Sequence, residues 1–211
     1  MMSNEKGLRI GVLGGTFDPI HIAHLIIAEE ARALLPLDRV IFVPALRSPL
    51  KWERTFFSAE QRLHMVHLAI ADNPYFSVSR VDIDREGPSY TVDTLEALRA
   101  AYGPQTQLFF ILGMDAFRYL DKWYRPERII QLAHLAVLGR PGYGVDMRRM
   151  EKAIPGISRV THFIDGLQLN ISSTDIRRRL IQGLPIKYQV PATVEAYIRQ
   201  ILSPGQSLPN D

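Results

Sequence analysis

The chain predicts an α/β fold: a Rossmann-like doubly wound parallel sheet with helices on both faces. Three observations carry this. Short apolar runs without alternation (IGVLG, VIFV, LFFIL and LAVL) recur along the chain, the pattern of strands buried on both faces. Helical sequence separates them, so each strand rejoins the sheet through a crossover. The 211 residues, 46% of them hydrophobic, suit one domain with a sizeable core. Residues 1–203 are expected to form that domain and residues 204–211 a flexible tail rich in Pro, Gly and Ser.

Leu8 to Gly14 reads as the first buried strand. A helix follows from about Pro19 to Leu35, with Asp18 as its N-cap and Pro19 at its first position. Arg39 to Val43 is the second strand. Ser58 and Gln61 form a capping box that opens a helix running to about Asp72. Phe76 to Ile83 reads as a strand and Thr91 to Ala101 as a helix. Leu108 to Leu112, Leu135 to Leu138 and Arg159 to Phe163 read as further strands, and helices from about Ser173 and Pro191 close the fold.

Composition removes several classes. No apolar run approaches the roughly 18 residues of a membrane span, and Met1 to Gly15 lacks the apolar core of a signal peptide, so a cytoplasmic location is expected. The absence of cysteine removes disulfides, thiolate metal sites and cysteine nucleophiles. Lys plus Arg number 25 and Asp plus Glu 22, a net charge of +3 that argues only weakly for nucleic acid and suits phosphate ligands of any size.

Two motifs carry chemistry. In the first, Gly14 and Gly15 follow a strand and let the backbone approach a ligand closely. Thr16, Phe17 and Asp18 lead into a helix N-terminus, a natural phosphate site. His21 and His24, three residues apart, share one face beside it. Uncharged they donate hydrogen bonds, and next to phosphate they would tend to protonate. The segment is neither a Walker loop nor a GxGxxG fingerprint, which disfavours a nicotinamide-cofactor dehydrogenase. His64 and His67 repeat the HxxH spacing in mid-helix without a glycine turn, and read as structural or solvent-exposed. No HExxH or comparable third ligand is present, so no protein metal site is expected.

The second motif is Ile171-Ser172-Ser173-Thr174-Asp175-Ile176-Arg177. It reads either as a plain N-cap with Arg177 in solvent, or as hydroxyls, N–H groups and a guanidinium converging on one phosphate. Two such sites on two helices of one small α/β domain point to a polyphosphate ligand.

GGTFDPIHIAH and ISSTDIR together resemble the signature segments of the nucleotidylyltransferase superfamily. Between them, GPSYTVDTL, FILGMDAF with Leu120 and Trp123, and Arg140-Pro141-Gly142 resemble the bacterial nicotinate-nucleotide adenylyltransferases. The likeness runs from about Leu8 to Ile201. Pantetheine-phosphate adenylyltransferases share the end motifs but are shorter and lack the middle segments. The chain departs from the pattern twice: Ala23 stands where the first motif has glycine, and Leu50 where the family has histidine before Lys51.

The resemblance implies adenylyl transfer from ATP to nicotinate mononucleotide, with Mg²⁺ carried mainly on the ATP phosphates. His21, His24, Lys51 and Arg177 would be the catalytic donors. Gly14, Gly15, Thr16, Phe17, Gly113, Asp115, Ser172 and Thr174 would hold ATP. Ser89, Thr91, Asp115 and Trp123 would shape the acceptor site, with Trp123 against the pyridine ring. From the residues alone, Trp123 also reads as core, and Asp115 and Thr91 as N-caps. The rival readings are the same chemistry on nicotinamide mononucleotide or phosphopantetheine, and a nucleic-acid-binding module built on Arg177-Arg178-Arg179. No aromatic residues interleave with that run, so nucleic acid is not expected.

Overall fold

The computed structural model describes residues 7–47, 55–139, 144–167 and 169–203. Among them lie six strands: β1 (Arg9–Gly15), β2 (Arg39–Pro44), β3 (Phe76–Val78), β4 (Gln107–Gly113), β5 (Ala133–Leu138) and β6 (Thr161–Ile164). They pair in parallel in the order β3-β2-β1-β4-β5-β6, the doubly wound order, so the chain reverses direction across the sheet between β1 and β4. The β1–β4 ladder stops at Val12 and Phe110, although β1 continues to Gly15 and β4 to Gly113. The two strands part there, and a crevice opens beyond their carboxyl ends.

The helices are α1 (Ile22–Leu34), α2 (Ala59–Ile70), α3 (Thr91–Tyr102), α4 (Met114–Phe117), α5 (Pro126–Leu132), α6 (Met147–Ala153), α7 (Ile157–Val160), α8 (Ser173–Ile181) and α9 (Ala192–Ile201). Strand alternation divides the core in two. Phe109 and Ile111 of β4 join Ala28 of α1, Met65 of α2, Ile176 of α8 and Val194 of α9. Phe110 and Leu112 face the other way, toward Leu95 of α3, Ile129 of α5 and Met150 of α6. Both sheet faces are covered, which is why these strands are apolar throughout. None of the helices among the described residues is long and apolar enough to cross a membrane.

Four local expectations are corrected. The first helix begins at Ile22 with His21 as its N-cap, not at Pro19. Asp18 is buried, and its carboxylate accepts from the backbone N–H groups of Phe56 (2.8 Å) and Phe57 (2.9 Å). The strand expected over Phe76 to Ile83 ends at Val78, because the Arg80 carbonyl accepts from Ile83 and Asp84 and turns the chain away. The segment expected as a strand from Arg159 opens with the turn α7, and pairing starts only at Thr161, whose hydroxyl donates back to Ile157. Thr91 and Asp115 are not N-caps: Tyr90 and Gly113 hold those positions. The tail expected over residues 204–211 lies outside the described residues, as do Leu50, Lys51 and Arg140-Pro141-Gly142.

Candidate active site

A cleft of about 1030 Å³ lies above the point where β1 and β4 part. The turn from Gly14 to Asp18 forms its floor, and Phe110 lines it where the ladder ends. A methyl group added at Gly15 would sit 3.1 Å from the Phe17 ring, so the residue type at this turn is set by close packing. Phe17 takes a left-handed conformation (φ 50°) and lies edge-on to His24 with centroids 5.0 Å apart. That contact fixes one side of the histidine. On the other side His21 stacks on it at 3.6 Å, and the His21 backbone N–H donates to His24 Nδ1 at 3.2 Å.

The two histidines therefore differ. His24 lines the cleft, and with Nδ1 accepting, its ring hydrogen resides on Nε2, the nitrogen able to donate to a phosphate. His21 is 5% exposed, does not line the cleft, and burial pushes its imidazole from 6.5 down to about 4. Its place is behind His24, where burial disfavours the charged ring. His64 and His67, the second HxxH pair, are both exposed on α2.

The second motif docks onto the first. Arg177 donates to the Asp18 carbonyl at 2.7 Å and lies 3.6 Å from its carboxylate, and the Ser173 hydroxyl donates to the Pro19 carbonyl at 2.9 Å. Ser172 caps α8 by accepting from Asp175 N–H, as the plain-capping reading requires. Arg177 is not left in solvent, however: with Ser173 it lines the cleft. Ser172 and Thr174 do not line it, although Thr174 accepts a bond of 3.3 Å from Arg177.

The opposite wall is the opening of α3. Ser89, Tyr90, Thr91 and Thr94 line it, and the N-cap Tyr90 offers no side-chain bond to the first N–H groups of the helix. Trp123 stands nearby, edge-on to Phe110 at 6.0 Å, with its indole N–H buried and unpaired among the described residues. Gly113 and Asp115 lie at the end of β4 but do not line the cleft; the Asp115 side chain is 95% exposed. Ala23 is buried outside the walls, so its extra methyl group does not narrow them.

Arg62, Asp82 and Arg47 are among the wall residues that escaped the sequence reading. Arg62 is 1% exposed and donates to the carbonyls of Thr16 (2.6 Å), Ala45 (2.8 Å), Phe57 (3.3 Å) and Leu46 (3.4 Å). Burial lowers its pKa, opposed by the Asp18 charge. A signal existed: Arg62, Val66, Ala69 and Ile70 fall on one buried stripe of α2, where a lone cation is out of place. Asp82, buried at the cleft edge, accepts from Thr94 (2.6 Å) and Arg85 (2.9 Å), and burial raises its pKa. Arg47 lines the cleft from the loop after β2. No group of three or more His, Asp or Glu side chains suited to a metal occurs among the described residues.

Residues 12–179 match the cytidylyltransferase-like family. A relative from Herpetosiphon aurantiacus named "Probable nicotinate-nucleotide adenylyltransferase" is 46% identical over 192 residues, covering 91% of this chain and 96% of its own. One of the same name from Roseiflexus castenholzii is 48% identical over 190 residues, covering 90% and 94%. The structure of Plasmodium falciparum nicotinic acid mononucleotide adenylyltransferase complexed with NaAD matches with a TM-score of 0.72 at 20% identity, over 92% of this chain and 97% of that one. At that identity the structural match speaks to the fold.

Proposed function

The chain belongs to the cytidylyltransferase-like family, among its nicotinate-nucleotide adenylyltransferases, and we propose from that premise how its cleft transfers the adenylyl group of ATP to nicotinate mononucleotide. The products are deamido-NAD and pyrophosphate. One observation carries the reading: His24 from the first turn of α1, the opening of α3, and Ser173 and Arg177 from the first turns of α8 all line one cleft, so donors from three helix starts meet where two polyanions must meet.

An oxygen of the acceptor phosphate attacks the α-phosphorus of ATP, and the bond to the β-phosphate breaks with its electron pair leaving on pyrophosphate. The attacking phosphate has a second pKa of about 6, so it is largely ionised at neutral pH and needs no general base. Positioning and neutralisation of charge are the tasks left to the protein. His24 Nε2–H donates to the phosphates at the glycine turn. Arg177 and the first turn of α8 hold the far end of the triphosphate, with Thr16 and Phe17 at the nucleotide. Lys51 adds a cation from the segment after β2. The uncapped start of α3 suits the ring carboxylate of nicotinate, and Trp123 supplies a flat apolar surface for the ring.

Mg²⁺ enters with ATP, through its phosphates and water. The two carboxylates that line the cleft among the described residues suit this division, since Asp18 is engaged by Phe56, Phe57 and Arg177, and Asp82 by Thr94 and Arg85. The setting proposed is the cytoplasm, where ATP is supplied. The test is product analysis: purified protein with Mg-ATP and nicotinate mononucleotide yields deamido-NAD and pyrophosphate in equal amounts. Folded protein that yields neither overturns the reading.

A further inference from the structure

We propose that Arg47 binds the phosphate of the acceptor mononucleotide and so governs affinity for the acceptor rather than for ATP. This rests on the adenylyl-transfer reading and assigns a residue that the sequence motifs do not include.

The 45–47 segment bridges the two ends of the cleft. At one end the Ala45 N–H donates to the Gly15 carbonyl at 2.9 Å, and the Arg62 guanidinium ties the Ala45 carbonyl to that of Thr16. At the other end the Ser89 N–H donates to the Arg47 carbonyl at 2.9 Å, while the Ser89 hydroxyl accepts from Leu46 N–H at 3.0 Å and Arg47 N–H at 3.4 Å. Arg47 therefore stands between the glycine turn and the opening of α3. An acceptor whose ring lies against Trp123 and α3 must pass its phosphate along this stretch to reach the α-phosphate of ATP.

Charge makes the same assignment. Among the described residues three arginines and Lys122 line the cleft, and the Lys122 ammonium lies over the Tyr119 ring at 5.4 Å. Arg62 and Arg177 are committed to backbone carbonyls. The Arg47 guanidinium has no hydrogen bond or ion pair among the described residues, and its backbone is pinned on both sides. Two groups of like charge must approach to bonding distance here, and a planar guanidinium that can bind phosphate through two N–H groups offsets their repulsion.

The experiment compares the full-length protein with Arg47→Ala and Arg47→Lys in steady-state kinetics. It also measures inhibition by nicotinate riboside, which keeps the ring and its carboxylate but lacks the phosphate. Arg47→Ala is expected to raise KM for nicotinate mononucleotide by about tenfold or more, as loss of a charge-assisted contact implies. KM for ATP stays within about twofold, Arg47→Lys recovers part of the loss, and the riboside inhibits both forms equally. An unchanged acceptor KM, a loss carried by ATP, or riboside inhibition that weakens in parallel overturns the assignment. Wild-type turnover is scored first: its absence overturns the adenylyl-transfer reading as well, whereas normal turnover with an unaffected Arg47→Ala variant overturns the role of Arg47 alone.

Discussion

The backbone N–H of His21 donates to Nδ1 of His24 at 3.2 Å while the two imidazoles stack with centroids 3.6 Å apart. One histidine thus orients the other. The bond occupies Nδ1, the Phe17 edge closes one face of the ring, and His24 is held with Nε2 as its donor atom.

His24→Ala is therefore expected to lower kcat by about a hundredfold or more, the loss of one preorganised donor to developing charge. Thermal unfolding should stay close to wild type, since His24 is only half-buried. His24→Gln keeps a donor at similar reach and should retain more turnover than the alanine variant. Rates near wild type in both variants would remove His24 from the chemistry.

His21 makes a prediction about acid stability. Its folded-state value of about 4 lies below the ordinary 6.5 because burial disfavours the charged ring. Between those values the unfolded chain binds a proton that the folded chain does not, so stability falls as pH drops from 6.5 toward 4. The loss attributable to His21 approaches about 3 kcal/mol at the lower end. Partial burial lowers His134 and His162 as well, which steepens the same slope. Denaturant unfolding at stepped pH should show a shallower slope for His21→Asn; equal slopes would contradict the buried neutral ring.

Arg62 holds the glycine turn to the loop after β2. Its removal leaves the carbonyls of Thr16, Ala45 and Leu46 without that donor, and Arg62→Met is expected to lose about 3–5 kcal/mol of stability. Activity should fall too, because the glycine turn that lines the cleft loses its support. Urea unfolding checks the first effect and steady-state kinetics the second; a loss under about 1 kcal/mol would show that the carbonyls are satisfied without it.

How much of this was legible follows from the range of the interactions. β1, β2, β4 and β5 could be read because burial on both faces leaves an unbroken apolar run. The capping box at Ser58 and Gln61 could be read because its partners are three residues apart. Asp18 was misread as a cap because its partner Phe56 lies 38 residues away, and no local pattern announces that bond. The premature end of β3 and the burial of Asp82 arise together, from a turn at Arg80 that a strand-like sequence conceals. In the site, the glycine turn, His24, Ser89, Thr91, Trp123 and Arg177 all line one cleft. Arg47 and Arg62 were missed because their meaning lies in backbone contacts between segments that only the fold brings together.

Trp123 lines the cleft edge-on to Phe110, and in the proposed reading its ring faces the acceptor. Trp123→Ala is expected to raise KM for nicotinate mononucleotide by about tenfold or more with little change in KM for ATP, as loss of a stacking surface does. Equal effects on both substrates would return Trp123 to a purely structural role.

The central claim is that this cleft transfers adenylyl groups to a mononucleotide bearing a ring carboxylate. The direct measurement is pyrophosphate release from Mg-ATP, with nicotinate mononucleotide, nicotinamide mononucleotide and phosphopantetheine offered separately. The account predicts kcat/KM at least about tenfold higher for nicotinate mononucleotide, since only that ring carries an anion to meet the start of α3. An equal or higher value for either of the other acceptors would contradict it.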